Sequence, residues 1–99
     1  MTIWKYELQF NQGVQSIEMP EESKVLCFQM QNNVPAIWCL VNDFSNKLIH
    51  KRFIIFGTGW YFQVPDGKEL KHIGTIQDNG GFVWHLFEEQ ELVDSHNKF

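Results

Sequence analysis

Apolar and polar residues alternate along most of this chain with a period of two, and that period predicts strands. Residues 3–10 show it most cleanly: Trp4, Tyr6, Leu8 and Phe10 fall on one side, with Lys5, Glu7 and Gln9 on the other. Asn11-Gln12-Gly13 reads as a turn into a short strand over 14–19, ended by Pro20, which cannot donate to a ladder. These two strands are expected to pair as a hairpin. A third strand is expected over 24–31, where Leu26, Phe28 and Met30 share a face, and Asn32-Asn33 turns it into a fourth over 36–41. That fourth run, AIWCLV, is almost continuously apolar, which suits the middle of a sheet covered on both faces.

Residues 47–56 form a longer pattern in which Leu48, His50, Arg52, Ile54 and Phe56 oppose Ile49, Lys51, Phe53 and Ile55. Glycines and a proline then interrupt GTGWYFQVPDG, residues 57–67, which is expected to be an ordered, partly packed loop. In residues 68–88 two β-patterned runs flank Asp78-Asn79-Gly80-Gly81, and Asn and Gly tolerate the positive φ of hairpin turns. Residues 89–99 turn polar and acidic, so a tail or one short helix is expected there, after a single β domain at 1–88. The fold class is therefore all-β: a small antiparallel β-sandwich or partly open barrel of seven or eight strands with a short polar C-terminal tail. Edge strands of such a fold stay exposed unless copies pair them, so a homo-oligomer is expected.

A chain of 99 residues buries only roughly 60–65% of its unfolded surface, so the core must be modest. Fifteen aromatic residues offset this, each burying about 150–250 Å². No run approaches the roughly 18 apolar residues of a membrane helix, and no basic, then apolar leader opens the sequence, so a soluble cytoplasmic protein without a membrane partner is expected. Cys27 and Cys39 each sit in an apolar run outside any CxxC, and read as buried thiols. The formal net charge of -4 opposes binding to duplex nucleic acid. Charge is uneven, however: residues 47–72 carry net +3, against -7 for the remainder, which marks the centre as a place for an anion or an acidic partner.

The candidate chemistry follows that centre. Arg52, Lys51, Lys71 and His72 supply positive charge, the Gly57-Thr58-Gly59 turn offers backbone N–H groups, and Trp60 and Tyr61 offer ring faces on a loop. Arg52 holds the only guanidinium, so its loss is expected to weaken anion binding most. The turn lacks the spacing and the following helix of a phosphate loop. Four dispersed histidines, His50, His72, His85 and His96, make no metal-ligand spacing, so no metal or cofactor is expected. His85 and Glu88 are the one tempting acid–base pair, but positions three apart on a strand face opposite ways, so no catalytic residue is assigned.

Across the chain, Ile17-Glu18-Met19-Pro20, Leu26 with Gln29 and Gln31, Pro35 with Trp38, Phe56-Gly57-Thr58-Gly59, Ile73-Gly74-Thr75-Ile76-Gln77 and Gly80-Gly81 before Trp84-His85 form an ordered succession. In this it resembles a family of small uncharacterised proteins encoded by bacteriophages and prophages, over residues 3–88. The resemblance implies a phage origin and action in the cytoplasm of the infected bacterial host, and carries over no catalytic residues. Small phage accessory proteins often counter host immunity. The function expected from residues and resemblance together is sequestration, without cleavage, of a nucleotide-derived immune signal of cyclic nucleotide or cyclic ADP-ribose type. The alternative is a protein-interaction module that inhibits a host defence or metabolic protein by direct binding, and an enzyme ranks below both.

Overall fold

The computed structural model describes residues 1–11 and 13–92. Seven strands run through them: β1 (Thr2–Glu7), β2 (Gln15–Pro20), β3 (Ser23–Gln31), β4 (Val34–Val41), β5 (Leu48–Gly57), β6 (Lys68–Gln77) and β7 (Val83–Glu91). They form two antiparallel sheets, β1-β4-β3 and β2-β5-β7-β6, and no closed barrel. Among the described residues no helix is long and apolar enough to cross a membrane.

The alternation read from the sequence fills the space between the sheets. Ile37, Cys39 and Val41 of β4 point at Phe53 and Ile55 of β5 and Leu86 of β7 in one fully buried cluster. Burial stabilises each large member by about 1.5–3 kcal/mol. It also pushes the Cys39 thiol up to about 11 by desolvation, against a smaller opposite pull from Lys51, so the thiol stays neutral. Cys27, by contrast, is exposed, and both cysteines are free. The apolar β4 does occupy the middle of its sheet.

Turn chemistry sets two of the hairpins. Asn32 and Asn33 take φ of 52° and 65°, the left-handed pair that a two-residue β3–β4 turn needs. Between β6 and β7, Gly81 takes φ of 86°, and Asp78 Oδ1 accepts from the N–H groups of Gly80 and Phe82.

The expected β1–β2 hairpin does not form. β1 lies beside β4 and β2 beside β5, in different sheets. Leu8 N donates to Pro35 O at 2.8 Å and the Leu8 side chain enters the core, so the chain stays with β4 before crossing layers. Residues 89–91, expected to begin the tail, are the last of β7, which runs through Glu91 opposite Lys68. Residues 93–99 of the expected tail or helix lie outside the described residues.

β5 and β6 are both antiparallel to β7, so residues 58–67 must connect two parallel strands. This connection packs as expected of an ordered loop. Phe62 stacks on Phe56 at 3.9 Å, and Ile54 and Phe56 are buried although they face away from the inter-sheet core.

Candidate functional site

A groove opens where β3 and β6, edge strands of opposite sheets, meet. Each strand carries a β-bulge there, between Val25 and Cys27 on β3 and between His72 and Gly74 on β6. The extra residues, Leu26 and Ile73, both line the groove. A bulge bends its strand and re-aims side chains, and such features collect beside binding sites. Gly74 lies against β3 there, where a Cβ would be in ordinary contact with Phe28 Cβ at 3.4 Å.

The groove has a volume of about 460 Å³, and Lys24, Lys51 and Lys71 line it together with His72 and Glu88. Lys51 Nζ donates to Ser23 O at 3.0 Å and stands 3.9 Å from Glu88 Oε1. Glu88 Oε2 accepts from Gln90 Nε2 at 2.8 Å. Lys24 and Lys71 have no ion-pair partner among the described residues. Three ammonium groups against one carboxylate leave the groove positive, suited to an anion.

The aromatic loop is placed elsewhere. A Cβ on Gly57 would lie 2.9 Å from the Trp60 indole, so glycine lets that ring lie on the strand end. Trp60 meets Trp84 edge to face at 5.4 Å, and Phe10 covers Trp84 at 4.4 Å. Trp84 Nε1 donates to Asp78 Oδ2 at 2.9 Å, and this bond, helped by the turn N–H groups, holds the Asp78 carboxyl below its usual value. Gly57, Thr58, Trp60, Phe82 and Trp84 border a recess of about 320 Å³. Tyr61 is fully exposed beside it, on a neighbouring recess.

Between the two regions runs a polar chain that the sequence reading did not assemble. Thr58 Oγ1 lies 2.8 Å from His85 Nε2, Thr75 Oγ1 lies 3.0 Å from His85 Nδ1, and His72 Nε2 lies 2.9 Å from Thr75 Oγ1. Strand register produces it, because Thr75 is the direct partner of His85. His85 and Glu88 do diverge: Glu88 lines the inter-sheet groove beside Lys51, while His85 faces the threonines.

Of the residues singled out from sequence, Lys51, Lys71 and His72 come together in the groove, while Gly57, Thr58 and Trp60 gather at the aromatic end, with Gly59 (φ 89°) and Tyr61 continuing from them. Arg52 joins neither set. Its Nε donates to Glu89 Oε1 at 3.2 Å on the opposite face of β5 from Lys51, and Glu89 is buried. Lys24, Glu88 and Gln90 are the groove residues that sequence reasoning missed, since only the β3–β6 approach brings Lys24 near Lys71. Among the described residues no three His, Cys, Asp or Glu side chains gather to hold a metal ion.

A seven-stranded, two-sheet β domain with a basic inter-sheet groove is thus the class that the geometry defines. Residues 1–97 match the model of DUF7352, a domain of unknown function, and the chain belongs to that family. No curated protein and no solved structure matches it.

Proposed function

We propose that this is a phage accessory protein, acting in the cytoplasm of the bacterial host, that holds a small nucleotide-derived immune signal in the β3–β6 groove and does not cleave it. The observation that carries this is the convergence of Lys24, Lys51 and Lys71 from three strands on one groove flanked by two facing bulges. Phosphate oxygens reward such point charges. Retention rather than turnover fits a groove whose Ser23 hydroxyl is already a donor to Pro20 O. Binding of a scarce signal at about nanomolar strength corresponds to roughly -12 kcal/mol, which favours a more enclosed site than one open groove. Pairing of the outer edges of β1 or β2 between copies would enlarge the enclosing surface, which is the place of a homo-oligomer in the proposal.

Calorimetry with cyclic dinucleotides, ADP-ribose and cyclic ADP-ribose tests it. The expected result is stoichiometric binding, recovery of the ligand intact after heat denaturation, and about tenfold weaker binding in Lys71→Ala, or about 1.4 kcal/mol. Absence of binding across that panel would end it. A second reading has its own observation: Phe82, Tyr61 and Phe62 stand exposed at one end, as in a surface that covers a partner protein. A host protein captured by the wild type and lost with Phe82→Ser and Tyr61→Ser would favour this reading.

A further inference from the structure

Glu88 is a poor neighbour for a plain phosphate. It lines the same groove as Lys24 and Lys71, and like charge beside a bound anion lowers affinity. Its two oxygens are not equivalent. Oε2 takes the Gln90 amide, whereas the ammonium nearest Oε1, that of Lys51, stands at 3.9 Å and gives its hydrogen bond to Ser23 O instead. Oε1 therefore has no hydrogen-bond donor among the described residues, on a side chain that is 13% exposed. That oxygen still reaches the open groove, and a carboxylate oxygen is a strong acceptor once a hydroxyl donates to it.

We infer that the groove selects a phosphorylated ribose, with Lys24 and Lys71 holding the phosphate and Glu88 Oε1 accepting a ribose hydroxyl. This assignment rests on the groove being the ligand seat proposed above. An acidic side chain that accepts from a ribose hydroxyl beside a phosphate site is a recurrent solution to nucleotide recognition. It converts an unfavourable repulsion into discrimination: a ligand that brings donors as well as negative charge satisfies Oε1, and one that brings only charge does not.

Ribose 5-phosphate, 2-deoxyribose 5-phosphate and inorganic pyrophosphate, titrated into the wild type and into Glu88→Gln by calorimetry or NMR, separate the possibilities. The wild type is expected to bind ribose 5-phosphate at least tenfold more tightly than the deoxy sugar. In Glu88→Gln that preference should fall to threefold or less while pyrophosphate binds more tightly than before. If all three probes bind the wild type with no ribose preference, or if Glu88→Gln leaves the preference intact, the Glu88 assignment is overturned and the basic groove survives. If none of them binds, the groove itself is not an anion seat and both fall. Glutamine preserves the size of the side chain, and a circular dichroism melt of each protein identifies any loss that comes from unfolding.

Discussion

The basic groove and the aromatic end are built in opposite ways. The groove gathers Lys24, Lys51, Lys71 and Glu88 from four strands in two sheets, so topology alone assembles it. The aromatic end comes mainly from two short segments, 57–62 and 78–84, whose turns fold their rings onto one another, with Phe10 laid over Trp84. The first is charged and open; the second is apolar, hydrogen-bonded at Asp78 and packed through Gly57. The difference teaches that cations spread along a sequence can share a site, whereas neighbours such as Lys51 and Arg52 take different carboxylate partners, Glu88 and Glu89.

The largest expected effect falls on the aromatic end. Gly57→Val forces branched carbon into the Trp60 indole, and should destabilise the fold by about 1–3 kcal/mol. Melting temperature and tryptophan fluorescence should both change, while anion affinity stays within about twofold for the folded fraction; a parallel loss of affinity would show the regions to be one unit. Lys24→Ala tests the other side of the contrast. It should weaken anion binding about tenfold, near 1.4 kcal/mol, and leave the melting temperature within about a degree.

Arg52→Ala should be a stability change only, of about 1 kcal/mol, since the partly exposed guanidinium neutralises buried Glu89 on the face away from the groove. A drop in anion affinity at unchanged stability would return Arg52 to the binding set. The smallest effect is acid sensitivity. Asp78 has a folded pKa below its ordinary 3.8, so its contribution is present above that value and is lost as pH falls through the lower, folded one. The melting temperature of Asp78→Asn, lower at neutral pH, should therefore converge on that of the wild type as pH is taken from about 5 to about 2.5; parallel curves would remove Asp78 from the account.

Strand positions were legible because period two marks most runs and a short continuous apolar run marks β4, and the Asn32-Asn33 and Asp78-Gly81 turns were legible because their backbones demand those residues. Pairing was less so. A local turn at 11–13 suggests a hairpin, but the edges of β4 and β5 win β1 and β2 separately, and nothing near Gly13 encodes that competition. Two of the three lysines of the cationic cluster, Lys51 and Lys71, were legible as charge density in the centre of the chain. Lys24 was not, because its membership depends on two bulges and on the meeting of two edge strands from different sheets. The His85 chain of hydrogen bonds was hidden for the same reason, since register and not spacing makes Thr75 its neighbour.

β7 is last among the seven strands yet lies between β5 and β6. While the polypeptide emerges from a ribosome, the larger sheet must wait with a gap at its centre, and Leu86 has to arrive before Phe53 and Ile55 lose their contact with water. Such late insertion of a central segment makes assembly depend on distant contacts and slows it. A chain cut short before residue 83 would be left with two separated edges, a sticky intermediate rather than a smaller version of the domain.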